Sequence, residues 1–156
     1  MPGIERTLAE LGIELPRPAA PVANYVPFVR SGSLVTISGQ LPFGPDGALA
    51  PAYVGTVGAD VSPAAATDAA RLCAINVVAQ LRAAIGDLDG VVRCVRLGGF
   101  VRSAPDFTAH AAVMNGASDL AVAIFGEAGR HARSTVGVAG LPLGACMEVE
   151  GMFEVR

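Results

Sequence analysis

Apolar residues recur at helical spacing in two long segments. The segment 62–85 has one apolar stripe, formed by Ala66, Ala70, Cys73, Val77, Leu81 and Ala84. Ser62 is a favourable N-cap, Pro63 suits the first helical position, and Gly86 is a suitable stop. A second helix is predicted from about Asp106 to Phe125, with a buried face formed by Phe107, Met114, Ala117, Ala121 and Phe125.

Strands are predicted where β-branched and aromatic residues cluster or alternate with polar ones. Two strands fall within 24–40, and Pro27 is expected to put the first of them on a sheet edge or at a bulge. Further strands are predicted at 91–102, 133–139 and 146–155. The last of these alternates strictly, with Glu148, Glu150, Met152 and Glu154 on one face and Val149, Gly151, Phe153 and Val155 on the other.

The predicted order of elements is β-β-α-β-α-β-β. A short amphipathic helix at 2–12 and a proline-rich arm precede it, so that 1–22 stand apart from one domain spanning 1–156. Two helices on one mixed sheet make a two-layer α+β sandwich. The Gly98-Gly99 pair in the third strand is expected to mark a bulge or a close approach. The uncovered face of such a sheet favours oligomerisation.

Composition narrows the possible functions. Charged residues make up 16% of the chain, below the usual ~25%, which also favours a buried subunit interface. All 11 basic residues are Arg, so neither a Schiff-base lysine nor a P-loop is available. The net charge of −3 and the lack of basic runs argue against nucleic-acid binding.

The cysteines and the N-terminal segment indicate in which cellular compartment the protein is expected. The three cysteines are widely spaced and form no CxxC pair, which favours reduced thiols in a cytoplasm. The charged N-terminal residues do not resemble a signal peptide, and no apolar run reaches the ~20 residues of a membrane span. Neither of the two histidines has a carboxylate or cysteine at ligand spacing, so no metal is expected.

Arg133 and Glu148 are the main candidates for chemistry. Arg133 opens one predicted strand and Glu148 lies on the next. A hairpin folded near 140–142 would bring the two side chains close to opposite each other. They could then form a simple cross-strand ion pair or belong to a site.

Three segments resemble the RidA/YjgF family. The stretch ARSTVGVAGLPLGACMEVE resembles the family's Arg-Ser strand, its Leu-Pro turn and its Glu-x-Glu strand. The stretch NYVPFVRSGSLVTISGQLP resembles its Tyr segment and Ser-Gly-Gln-x-Pro strand end. A third stretch, APDFTAHAAVMNGASDLAVAIFGE, resembles its Asp-Phe helix with an internal Asn. Together the matches cover roughly residues 23–156.

The resemblance implies a chorismate-mutase-like fold and a homotrimer with a cleft at each subunit boundary. It implies that Arg133 binds the carboxylate of a small substrate, and a guanidinium suits this because its planar fork pairs bidentately with a carboxylate. It implies that Glu148 positions or activates a water. The other matched positions would border the substrate: Tyr25, Ser38, Gly39 and Asn115.

The implied reaction is enamine or imine deamination. A 2-aminoacrylate-type intermediate would be hydrolysed to a 2-keto acid and ammonia without a metal or other cofactor. Thr135 stands where many deaminase-active members carry a Cys, and it is a candidate substrate-binding residue because its hydroxyl can still hydrogen-bond a substrate. This departure and the additional N-terminal helix make the chain resemble a divergent subgroup. A non-catalytic binder of small carboxylates is the alternative. Endoribonuclease activity is less favoured, because the chain is acidic and contains no Lys.

Overall fold

The computed structural model describes residues 3–18, 20 and 23–156. Within these residues there are three α-helices and five strands. The helices are α1 (Ile4–Glu10), α2 (Pro63–Ile85) and α3 (His110–Phe125). The strands are β1 (Phe28–Ser31), β2 (Leu34–Gln40), β3 (Val91–Arg102), β4 (Ala132–Val138) and β5 (Met147–Val155). The parts of the predicted N-terminal helix and arm that fall on residues 1, 2, 19, 21 and 22 lie outside the described residues.

The helix α2 begins and ends where the sequence predicts. The Ser62 hydroxyl oxygen accepts a hydrogen bond from the Ala65 N–H at 3.1 Å, and Pro63 occupies the first turn. Gly86 ends the helix with φ +79°, and its N–H donates to the Arg82 carbonyl at 2.8 Å. Local capping chemistry therefore sets both ends.

The helix α3 begins at His110, later than predicted. The N–H of Phe107 donates to the carbonyl of Ala104 at 3.0 Å, so the preceding residues form a turn. The Phe107 ring packs edge-on against His110, with ring centroids 5.2 Å apart, and lies beside Gly58. The prediction of a start near Asp106 was wrong because Phe107 anchors this turn and is not part of the helix face.

The five strands form a mixed sheet in the order β1-β2-β5-β3-β4. The pairs β1/β2, β2/β5 and β5/β3 are antiparallel, whereas β3 and β4 are parallel. β1 is an edge strand, and Pro27 directly precedes its first residue, as expected for a proline at a sheet edge. The predicted hairpin of the last two strands is wrong, because β3 lies between β4 and β5. Insertion between β2 and β3 gives β5 a hydrogen-bonding neighbour on both sides.

Helices α2 and α3 cover one face of the sheet, and α1 packs beside α3. The core between the layers takes alternate residues of β5, as the sequence predicts: Met147, Val149, Gly151, Phe153 and Val155 are buried. No helix of the described residues covers the opposite face, which we call the open face. The predicted two-layer α+β architecture is confirmed, with α1 as an additional helix. None of the described helices is long and apolar enough to cross a membrane.

The Gly98-Gly99 pair is a point of close approach but not a bulge. Both glycines stay in regular register with β5, and the irregularities of β3 lie earlier in the strand. A Cβ on Gly98 would lie 2.7 Å from Glu150 Oε1, and one on Gly99 would lie 2.5 Å from Met114 Sδ. The absence of side chains therefore lets neighbouring groups pack directly onto the strand.

Candidate functional site

Arg133 lies on the edge strand β4 with its side chain against α3. Its Nη1 donates to Asn115 Oδ1 at 2.9 Å and to Ser118 Oγ at 3.0 Å. Its Nη2 donates to the Ala111 carbonyl at 3.1 Å. Three of the five N–H groups of the guanidinium are thus used. The Nε–H and one Nη2–H have no acceptor among the described residues, and two such donors can engage a carboxylate bidentately.

Thr135 follows Arg133 by two residues and therefore projects from the same face of β4. It pairs with Gly99 of β3, where a Cβ would lie 3.2 Å from Thr135 Cγ2. The Thr135 hydroxyl oxygen is buried and has no hydrogen-bond partner among the described residues. A buried hydroxyl normally has a partner, so this one can serve a ligand that binds beside Arg133.

A second group of candidate residues surrounds the end of β2. The register of β2 against β5 shifts between Ile37 and Gln40, so that Ser38 and Gly39 form a bulge. A Cβ on Gly39 would lie 2.8 Å from the carboxyl carbon of Glu148. Only glycine leaves room for the Glu148 side chain at this position.

Ser38 connects this bulge to the segment that contains Tyr25. The Ser38 hydroxyl donates to the Val26 carbonyl at 2.7 Å, and the Ser38 N–H donates to the Pro27 carbonyl at 2.9 Å. Tyr25 lies before β1, not within a strand, and its side chain is exposed. Ser38 therefore holds the Tyr25 segment against the bulge, and its one hydroxyl proton is used in doing so.

Glu148 is half-buried on β5. Its burial, and secondly the negative charge of Glu150, raise the pKa of Glu148 above the ordinary glutamate value of 4.5. Glu150 is itself paired with Arg96 at 3.6 Å. A carboxyl group with a raised pKa exchanges protons more readily near neutral pH than an ordinary one.

The Glu148 side chain borders a cavity of about 630 Å³. Tyr25 and Gly39 line the same cavity, so three of the sequence-predicted residues meet there. Sequence reasoning missed two further lining residues, Asn76 and Gln80 of α2. Both are polar residues on a helix whose buried positions are otherwise apolar, and this break in the pattern is the signal that could have revealed them.

The two groups of candidate residues do not meet within one chain. Arg133 pairs with Leu97 and Glu148 with Phe100, on opposite edges of β3. Arg133 contacts α3, whereas Glu148 points away from the buried residues of β5. No ion pair joins these two described side chains. The prediction that they face each other across a hairpin is wrong, because β3 separates their strands.

The cysteine thiols do not take part in either group. All three are buried, and burial raises the pKa of Cys94 to about 12 and that of Cys146 to about 11. Burial likewise raises the pKa of Cys73. A thiol with so high a pKa carries almost no thiolate at neutral pH and is a poor nucleophile. The three cysteines are therefore packed core residues.

The fold and the sequence identify the family. Residues 5–154 match the family described as "YjgF/chorismate_mutase-like, putative endoribonuclease". The chain belongs to this family, as the three sequence segments indicate.

Several relatives share nearly the whole length. Protein TCP17 from Trypanosoma cruzi is 48% identical over 98% of this chain and 94% of its own. The crystal structure of Atu1372 from Agrobacterium tumefaciens, a protein with unknown function, is 47% identical over 98% of this chain and 94% of that one, with a TM-score of 0.89. The more distant Escherichia coli TdcF, crystallised with bound serine, is 27% identical over 90% of this chain and 94% of its own, with a TM-score of 0.62.

Proposed function

We propose that three copies of the chain assemble with clefts at their boundaries, and that each cleft hydrolyses an enamine or imine of a 2-amino acid. In each cleft Arg133 of one copy would face Glu148 of the next. The observation that supports this proposal is the division of the candidate residues into two separate groups. Each group lacks what the other supplies: a carboxylate-binding fork on one side and an acid–base carboxyl beside a cavity on the other.

The open face supports assembly. Several large apolar side chains of the sheet are exposed in one chain, among them Val29 at 55%, Leu34 at 39% and Val136 at 48%. These residues project from β1, β2 and β4. Contact with neighbouring copies would remove this apolar surface from water, which favours association.

The reaction begins with the carboxylate of the substrate on Arg133. The Nε–H and the remaining Nη2–H of the guanidinium orient it bidentately, and the hydroxyl of Thr135 lies on the same face for a further contact. The enamine tautomerises to an imine at the carbon next to the carboxylate. That carbon is then held towards Glu148 of the neighbouring copy.

Glu148 then assists the addition of water. Its carboxylate accepts a proton from the water as the water oxygen bonds to the imine carbon, and then gives this proton to the nitrogen to yield the carbinolamine. The hydroxyl proton is next transferred through Glu148 to the amine nitrogen, while the C=O bond of the 2-keto acid forms and the C–N bond breaks to release ammonia. Orientation and acid–base help of this kind contribute roughly 10²–10⁴-fold. Such acceleration suffices for a substrate that already hydrolyses in water.

The serine bound to the related TdcF supports an amino-acid-like ligand with a carboxylate. A non-catalytic carboxylate binder is the second candidate, because the two free donors of Arg133 suffice for binding without help from Glu148. An ammonia-release assay with freshly generated 2-aminoacrylate separates the two. Release above the uncatalysed rate supports the deaminase, and binding of pyruvate without release supports the binder.

Mixing two inactive variants tests the shared cleft. Arg133→Ala and Glu148→Gln should each abolish ammonia release as pure proteins. After joint unfolding and refolding, random trimers should recover up to about a quarter of the wild-type activity, since one boundary in four pairs an intact Arg133 with an intact Glu148. No recovery in mixed trimers of native size would contradict a shared cleft. A monomer in sedimentation at micromolar concentration would contradict the assembly itself.

A further inference from the structure

The cavity beside Glu148 is larger than 2-aminoacrylate requires. Its volume of about 630 Å³ falls within the range of roughly 300–1,000 Å³ that holds drug-sized ligands. Its lining combines apolar side chains with several polar and charged ones: Arg17, Tyr25, Gln40, Asp46, Asn76, Gln80 and Glu148. Phe43, Leu41, Pro16, Pro142 and Leu143 supply much of the wall.

Residues 16 and 17 of the N-terminal arm form one wall of this cavity, and the residues just before them are anchored in the core. Ile13 and Leu15 are each only 8% exposed and belong to the hydrophobic core. The N–H of Ile13 donates to the Leu8 carbonyl at 2.8 Å, which ties the arm to the end of α1. Pro16 and Arg17 follow directly and line the cavity. Because the anchor is buried, this wall is formed before any ligand binds.

A second part of the wall is fixed by Asn76 of α2. Its amide nitrogen donates to the Leu41 carbonyl at 3.1 Å and to the Phe43 carbonyl at 3.0 Å. These bonds hold the loop after β2 against the helix, with Leu41 and Phe43 at the cavity. A chamber with two anchored walls can select ligands by shape.

Leu143 stands at this cavity in an unfavourable backbone conformation. Its φ is +59°, and among the described residues it is the one non-glycine residue with positive φ. Its side chain is 69% exposed although it lines the cavity. A leucine held in the left-handed region with an exposed side chain is a strained feature of the kind that clusters at ligand sites.

We infer that the chamber walled by the arm, Phe43 and Leu143 receives the side chain of the substrate, and that the preferred substrates are imines of 2-amino acids with extended apolar side chains. This inference rests on the proposed function, because the carboxylate must sit on Arg133 of the neighbouring copy. The carbon that reacts then lies next to Glu148, and the substituent it carries points into the chamber. Substrates as small as 2-aminoacrylate leave most of the chamber empty.

Calorimetric titration with straight-chain 2-oxo acids tests the inference. The series runs from pyruvate through 2-oxobutanoate and 2-oxopentanoate to 2-oxohexanoate, which present the product carboxylate with a growing side chain. Affinity should rise about fourfold per added methylene, which is the ~0.8 kcal/mol of a buried CH₂ converted at ~1.4 kcal/mol per tenfold. Affinity that is flat or falls along the series overturns the chamber.

The variant Leu143→Gly removes the apolar side chain from the cavity wall and also relieves the positive-φ backbone strain at this position. We expect a smaller gain per methylene than in the wild type, with a melting temperature that is not lowered, because glycine accepts positive φ. Leu11→Gly deletes the same atoms from another exposed leucine, one that does not line the cavity. An equal slope in Leu143→Gly and Leu11→Gly contradicts the role of Leu143.

The titrations separate failure of the chamber from failure of the proposed function. Pyruvate binding that Arg133→Ala abolishes, together with no dependence on chain length, overturns only the chamber. Binding that is indifferent to Arg133→Ala overturns the proposed site, and the inference falls with it. A weaker chain-length dependence in Leu143→Gly than in the wild type, with Arg133 still required for binding, is the result expected if both the chamber and the proposed site are correct.

Discussion

Ser118 holds the guanidinium of Arg133, with its hydroxyl oxygen accepting from Nη1 at 3.0 Å. The one hydroxyl proton of Ser118 is then available to His131 Nε2 at 2.9 Å, and His131 Nδ1–H donates to the Gly129 carbonyl at 2.6 Å. These bonds form together when Nδ1 of His131 donates and its Nε2 accepts. The network fixes one edge of the guanidinium and leaves the other for a ligand.

Ser118→Ala should weaken the binding of small 2-oxo acids by about 2- to 13-fold. The change removes one hydrogen bond that orients Arg133, and such a bond contributes about 0.5–1.5 kcal/mol. Isothermal titration with pyruvate measures the effect. Ser134→Ala is the matched control, since Ser134 is exposed and adjacent to Arg133 on the other face of β4. Equal affinity of both variants would show that Ser118 does not position Arg133.

Arg133→Lys should impair ligand binding almost as much as Arg133→Ala. An ammonium cannot reproduce the bonds to Asn115, Ser118 and Ala111 and still offer a bidentate fork to a carboxylate. Loss of one partner of a buried charge pair costs about 2–5 kcal/mol, or roughly 30- to 4,000-fold in affinity. Titration beside a thermal melt measures both binding and folding. Equal affinity in wild type and both variants would remove Arg133 from the site.

Glu148→Gln should preserve folding and pyruvate binding but suppress ammonia release, because the amide keeps the size and loses the basic oxygen. It should also change how stability depends on pH. The folded-state pKa of Glu148 is raised above 4.5, so the folded state binds more protons than the unfolded state, and wild-type stability falls as pH rises through that folded-state pKa. The variant should therefore be more stable than wild type at neutral pH, and the gap should close towards pH 4.5.

Thermal melts between about pH 4.5 and 8 measure this difference. Glu154→Gln is the matched control on the same face of β5, farther along the strand from the cavity. A stability gap that is independent of pH would show that the charge of Glu148 is not the cause. Unchanged turnover in Glu148→Gln would leave this residue with a structural role only.

Thr135→Val should lower the affinity for pyruvate without lowering the stability of the fold. The substitution keeps the shape but removes a buried hydroxyl that has no partner among the described residues. The free energy of unfolding should therefore be unchanged or rise by up to about 1 kcal/mol. Affinity for pyruvate should fall roughly fivefold if the hydroxyl bonds the ligand. An unchanged affinity would place the ligand away from Thr135.

Local features of the sequence were sufficient to predict the ends of α2 and the buried face of β5. The Ser62–Pro63 cap and Gly86 act within one turn of the chain, so α2 was predicted with its ends. The alternation of apolar and polar residues in β5 shows which side chains are buried. This pattern is the same whichever strands lie beside β5. The start of α3 was missed because Phe107 packs against Gly58, which is distant in the sequence.

The sequence by itself determined the α+β layers, the buried face of each main element and, through its three matching segments, the family. Only the tertiary structure decided that β5 inserts between β2 and β3, and hence that Arg133 and Glu148 are separated within one chain. Alternation specifies the faces of a strand but not its neighbours, because backbone hydrogen bonds are alike for every residue pair. The chamber beside Glu148 could not be predicted from the sequence either. Its walls come from segments that are far apart along the chain and meet only when the core packs.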